Sequence, residues 1–130
     1  MKRAFSLVEV LAAVALVGIL VFLALPNIVQ VKTDSESHLA VARAEALNLA
    51  MASYVQALGS TAAESAWDAA TTDQARYTQI APYLAYAPTN LAAANGSDGY
   101  MPDGYSVTFP TTLVPLSKAT LYSGTTQISY

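Results

Sequence analysis

The chain has 130 residues, enough for one small domain, and 54% of them are hydrophobic. Nine acidic side chains outnumber six basic ones, a poor balance for a nucleic-acid binder, which shows a basic patch, so no nucleic-acid contact is indicated. Cysteine is absent, which excludes a disulfide framework and any Cys-ligated metal site.

Met1-Lys2-Arg3-Ala4 is a short basic head, followed by Phe5-Ser6-Leu7-Val8-Glu9. Val10 to Leu25 then carries no charge, and the apolar run continues to Val31, broken only by Pro26, Asn27 and Gln30. This is long enough to cross a bilayer, which takes about 20 predominantly apolar residues. A helix that is apolar all round must be covered on all sides, by lipid or by other helices. The basic residues ahead of the run hold the head in the cytoplasm and send the rest outward. Glu9 is the odd member. A carboxylate on a membrane helix costs roughly 2.5–3.5 kcal/mol at the centre, and its presence implies a partner. An ordinary secretory signal would be cleaved after the apolar run at a small-x-small site, and Leu23-Ala24-Leu25-Pro26 fits that poorly. A plain single-span anchor has no need of Glu9.

Lys2-Arg3-Ala4 followed by Phe5-Ser6-Leu7-Val8-Glu9 resembles the class III signal of type IV pilins and their relatives. The resemblance covers Met1 to Pro26, and the rest of the chain matches only in general plan. It implies that a prepilin peptidase cuts between Ala4 and Phe5 and methylates the new Phe5 amine. The family usually has Gly before the cut, and Ala4 is likewise small. Residues 1–4 would be the leader, 5–31 the transmembrane and polymerisation half of a long helix, and 32–130 an extracytoplasmic globular domain. Loss of Lys2 and Arg3 would leave four basic side chains against nine acidic ones.

The resemblance also gives Glu9 a role, pairing with the Phe5 amine of a neighbouring subunit and setting their axial stagger. Gly18 and Pro26 fall where many of these proteins carry helix-weakening residues. Proline removes one N–H and clashes with the carbonyl four residues back, so a kink or local melting on assembly is expected between them. The implied partners are further copies in a helical filament, the prepilin peptidase, the inner membrane before assembly, and pilus or secretion machinery. The chain would cross the inner membrane once before assembly and lie in a periplasmic or cell-surface filament afterwards. Two functions compete within the family: a pilus subunit and a pseudopilin of a type II secretion system. A membrane-anchored monomeric binding module is the reading from outside it.

One helix is expected from Phe5 to about Leu58. At about 1.5 Å per residue it would reach roughly 80 Å, beyond any small globular core. Its second half is amphipathic. Leu39, Ala42, Ala46, Leu49, Ala50, Ser53 and Ala57 share one face, which the spacing predicts as the core face. Leu47, Met51, Tyr54 and Leu58 form a second apolar strip, and His38, Glu45, Asn48 and Gln56 lie away from both. Lys32–Glu36 and Asp34–His38 are spaced as ion pairs. Gly59 is a credible stop.

Thr61 to Thr72 is a small-residue connection with a helical turn around Glu64–Ala70, and Trp67 should plug against the long helix. A second helix is expected from Asp73 to about Tyr83, capped by Thr72 and ended by Pro82. Pro88 to Gly104 reads as a loop with turns. Strands are expected at Tyr105–Phe109, Thr112–Leu116, Ala119–Tyr122 and Thr126–Tyr130, with Ser123-Gly124-Thr125 as a hairpin turn. The fold class is therefore α+β: a long N-terminal helix with a small C-terminal antiparallel sheet on its second half.

No catalytic pattern is present: no phosphate-cradling loop, no Cys–His pair, no nucleophile elbow. His38 is the only histidine and reads as a solvated helix residue. The loop Asn95-Gly-Ser-Asp98-Gly-Tyr-Met-Pro-Asp103-Gly104 has two readings. Asp98 and Asp103 with loop carbonyls could hold Ca²⁺, as some secretion pseudopilins do in place of a disulfide, although two carboxylates are few for an ion that takes six to eight oxygens. Asp-Gly is also ordinary turn chemistry. Asn95-Gly96-Ser97 fits the short glycosylation acceptor pattern. Without a disulfide, the C-terminal segment must be held by packing and strand pairing, or by a metal. The eight tyrosines read as core and interface packing.

Overall fold

The computed structural model describes residues 3–92 and 98–130. Its elements are α1 (Leu7–Leu58), α2 (Ser60–Ala69), α3 (Asp73–Ile80), a 3-10 turn (Ala81–Tyr83), β1 (Tyr105–Thr108), β2 (Thr120–Ser123) and β3 (Thr126–Ile128). The class is α+β. The chain divides into two units at Glu36/Ser37.

The first unit is the N-terminal part of α1, and every described residue in it through Ser35 is exposed. The helix runs unbroken through Gly18 and Pro26. A proline in mid-helix costs about 3 kcal/mol, and regular hydrogen bonding on both sides carries the helix past it. Lys32 and Glu36 pair at 3.7 Å, whereas Asp34 and His38 form no ion pair.

In the second unit, α1 buries Ala40, Ala44, Leu47, Ala50, Met51 and Tyr54. This corrects the expected core face. Leu39 and Leu49 are 43% and 70% exposed, and of the stripe predicted to be buried only Ala50 is. Both stripes have helical spacing, so periodicity alone does not rank them. The inward one carries the bulk of Leu47, Met51 and Tyr54 and so removes more apolar surface from water. Leu58, assigned to that strip, is exposed at the helix end. Gly59 stops α1 with φ 83°, a conformation that favours glycine.

The small-residue connection is a full helix, α2, and not a single turn. It brings in Trp67, which is fully buried and packs edge-on to Phe109 at 5.7 Å and against Tyr54 of α1 at 6.3 Å. The Trp67 indole N–H donates to the Pro110 carbonyl at 2.9 Å, which satisfies its one polar atom. Thr72 caps α3 by accepting from the Ala75 N–H at 3.1 Å, and Tyr77 and Ile80 are buried. Asp73 accepts the Phe109 N–H at 2.9 Å, tying the start of α3 to the end of β1.

The sheet has order β1-β2-β3, antiparallel throughout. Val107 faces Leu121 in the register, and both are buried. Gly124, at φ 59°, occupies the first position of a two-residue turn between Ser123 and Thr126, where a type II′ turn places glycine. The expected strand at Thr112–Leu116 does not form. Pro115 has no N–H for a ladder, and the Val114 N–H donates to the Glu64 carboxylate at 2.6 Å. Leu113 is nonetheless fully buried, so the segment serves the core without pairing.

Candidate functional site

Arg3 to Ser6 are non-helical and exposed, and α1 begins at Leu7. Ala4 and Phe5 therefore lie in open chain just ahead of the helix, with Phe5 85% exposed. Ser6 and Glu9 bond reciprocally. The Ser6 N–H donates to the Glu9 carboxylate at 3.2 Å, and the Glu9 N–H donates to the Ser6 hydroxyl at 3.2 Å. This is a capping box, in which an N-cap serine and a glutamate three residues on satisfy each other's free amides. The carboxylate also sits on the positive end of the helix dipole. Sequence reasoning gave Glu9 only an intersubunit partner and overlooked Ser6, although Ser-x-x-Glu before an apolar run is the signature of such a box.

Beyond Glu9, α1 is long and apolar enough to cross a membrane. Its most apolar window has mean hydropathy 2.8 and is 0% buried. A side chain placed on Gly18 would meet nothing within 4 Å, so Gly18 does not serve close packing within the chain. Leaving so much apolar helix in water is unfavourable by about 25 cal/mol for each Å². This end of the molecule therefore offers apolar surface and one carboxylate, Glu9.

Asp98 and Asp103 are both exposed. Asp103-Gly104 forms the turn into β1, with the Tyr105 N–H donating to the Pro102 carbonyl at 3.1 Å and Gly104 at φ 81°. Turn formation thus accounts for Asp103 and Gly104 without a cation. Among the described residues, no group of three or more His, Cys, Asp or Glu side chains comes together. Asn95-Gly96-Ser97 lies outside the described residues. His38 is exposed on α1. A cleft of about 240 Å³ beside the start of α3 is lined by Asp73, Gln74, Leu91, Met101 and Val107. Ser106 also lines it; two of its polar side chains are engaged within the chain, Asp73 with the Phe109 N–H and Gln74 with the Leu91 N–H and the Thr89 carbonyl.

Asn48, placed by sequence reasoning on an outer polar face, is instead the hub that secures the end of the chain. Its carbonyl oxygen accepts the Ala119 N–H at 2.9 Å, and its amide donates to the Tyr130 hydroxyl at 3.1 Å. That hydroxyl donates in turn to the Ala119 carbonyl. Lys118 adds an ion pair to Glu45 at 3.2 Å and a bond to the Tyr130 carbonyl at 3.2 Å. No sequence signal marked Asn48, because its partners are more than 70 residues away.

Elsewhere, Arg43 sits 5.6 Å from the Tyr100 ring centre and donates to the Tyr100 carbonyl. Burial, reinforced by neighbouring Tyr100 and opposed by Arg43, pushes the Tyr77 phenol up to about 12. Burial also raises Tyr54, with Tyr83 adding to it, and Tyr100, where Arg43 opposes. These phenols stay neutral and act as hydrogen-bonded packing groups; Tyr77 donates to the Pro88 carbonyl at 2.7 Å. No family model, curated protein or solved structure matches this chain.

Proposed function

We propose that the chain is a structural subunit that polymerises into a type IV pilus-like filament. It would wait in the inner membrane as a single-pass protein, with residues 32–130 outside. A prepilin peptidase would cut between Ala4 and Phe5, where the chain is open and non-helical. The observation that carries this reading is the charge-free helix from Val10 to Leu25, exposed on every side, with one carboxylate in its first turn. Lipid covers such a helix in the membrane, and other copies of the same helix cover it in a filament.

Glu9 then has two successive partners. In the single subunit it is held by the Ser6 N–H. In a bundle of apolar helices it would face a low-dielectric surround, where a carboxylate needs a cation. The Phe5 amine of a neighbouring copy, released by cleavage and still charged after methylation, supplies one. Such a contact joins different surfaces of successive copies, and a head-to-tail contact that does not close builds a helical filament. Gly18 and Pro26 mark where the helix would loosen as it leaves the bilayer. A buried pair adds little net stability, but removing one partner costs roughly 3–5 kcal/mol.

The test combines intact mass with electron microscopy of sheared surface material. The mature chain should begin at Phe5 with one added methyl, and wild-type cells should shed filaments. Glu9→Ala should still insert and be cleaved, yet filaments should be lost or sharply reduced. A mature chain still carrying Met1, or normal filaments from Glu9→Ala, would refute the corresponding part of the reading.

A further inference from the structure

The capping box at the start of α1 also sets how far upstream that helix reaches. Ser6 is the N-cap: its carbonyl accepts the first helical bond, from the Val10 N–H at 3.2 Å, and its hydroxyl accepts the Glu9 N–H. The Glu9 carboxylate accepts the Ser6 N–H. In a longer helix that amide would bond a carbonyl four residues upstream, so the box diverts it. None of residues 1–5 is Ser, Thr, Asn, Asp or Gly, the residue types that cap helices. Ala4, by contrast, has the best helix propensity of any residue type. Ser6 is therefore the first position at which this sequence can halt the helix. Upstream of it Arg3, Ala4 and Phe5 are non-helical, and Phe5 is 85% exposed.

We infer that Ser6 is a positioning residue for processing, holding the Ala4–Phe5 bond outside the helix so that a peptidase can reach it. This role rests on the filament reading, which puts cleavage at that bond. Hydrolysis adds one water across the bond and leaves an Ala4 carboxylate and a Phe5 amine. The enzyme must approach the Ala4 carbonyl to do so. In a helix continued upstream, that carbonyl would accept the Val8 N–H and be enclosed in a turn. With α1 starting at Leu7, Val8 lies in the first turn, where helix amides have no carbonyl to bond, and the Ala4 carbonyl is left open. The Ser6 hydroxyl is the half of the box that matters here, because its target is a backbone N–H. Glu9→Ala keeps that bond, so cleavage survives loss of the carboxylate while assembly does not. Lys2 and Arg3 also oppose upstream growth, since positive charge is unfavourable at a helix N-terminus, but at an exposed site this effect is small.

The experiment incubates the full-length chain, in lipid vesicles, with a prepilin peptidase and follows cleavage by intact mass. Ser6→Ala should slow the initial rate about threefold, within the roughly two- to thirtyfold range by which loss of a cap shifts the balance towards the helical form. Ser6→Asn and Ser6→Asp cap without a hydroxyl and should cleave within about twofold of wild type. Their rescue separates capping from direct contact between the hydroxyl and the enzyme, which neither would restore. Nuclear magnetic resonance of the full chain in detergent micelles supplies the second readout. The Cα shifts of Ala4 and Phe5 should be coil-like in the wild type and move towards helical values in Ser6→Ala. An unchanged rate for Ser6→Ala, slow cleavage of both Ser6→Asn and Ser6→Asp, or unmoved shifts in Ser6→Ala overturns the role of Ser6. If the wild-type chain is still cut at Phe5, the filament reading stands despite any of these. If the wild-type chain is not cut there, both fall.

Discussion

Asn48→Ala tests how a chain without cysteine secures its last segment. Truncation removes two side-chain hydrogen bonds, to the Ala119 N–H and to the Tyr130 hydroxyl. Ala119 is 2% exposed, so its freed N–H finds no water. A buried donor left bare costs about 1–3 kcal/mol, and the second bond contributes about 0.5–1.5 kcal/mol. The Tyr130 hydroxyl still donates to the Ala119 carbonyl, so part of the clamp survives. The net loss should be about 2–3 kcal/mol, which for a domain of this size lowers Tm by about 10–15 °C. The assay is a thermal melt of the full chain in detergent, followed by near-ultraviolet circular dichroism to report the tertiary packing of residues 37–130. Asn48→Asp should lose less, because it keeps the acceptor for Ala119. A Tm for Asn48→Ala within about 2 °C of wild type would refute the clamp, since that corresponds to less than about 0.5 kcal/mol.

The tyrosine cluster makes stability fall at alkaline pH. Tyr77 ionises near the ordinary value of 10.0 when unfolded but at about 12 when folded, so its contribution is complete below pH 10 and is lost as pH rises towards 12. Tyr54 and Tyr100 shift in the same direction. Tm measured against pH should stay level below that window and decline through it, with tyrosinate absorbance rising as the fold melts; a Tm independent of pH across it would contradict the burial. A fragment lacking residues 1–30 should fold as a monomer, because the buried core lies wholly between Ala40 and Leu121. Within that fragment Leu47→Ala should cost about 2–5 kcal/mol, and Leu49→Ala should be near neutral; equal losses would mean the two helix faces are misassigned. A chelator should leave the fragment's Tm unchanged, whereas a drop would return Asp98 and Asp103 to consideration as a Ca²⁺ site.

Much of the architecture was legible because it follows from local chemistry. The charge-free run, Gly59 after Leu58, Thr72 before Asp73 and Gly124 between two alternating segments each act over a few residues, and each element forms where those signals stand. Glu9 was singled out by charge against an apolar background. Its bond to Ser6 is equally local, written in the sequence as a Ser-x-x-Glu pattern ahead of the apolar run.

Tertiary structure decided what depends on comparing surfaces far apart in the chain. Two apolar stripes on α1 had the same spacing, and only packing chose between them. Tyr54, Met51 and Leu47 joined the core that holds Trp67 and Leu121, while Leu49 was left outside. The strand expected at Thr112–Leu116 was lost because Glu64, on α2, took the Val114 N–H. Asn48 became a clamp only when Ala119 and Tyr130 arrived beside it. Periodicity reports which residues share a face. Which face is buried is set by volume and hydrogen-bond partners supplied from elsewhere, and a single stretch of sequence does not contain them.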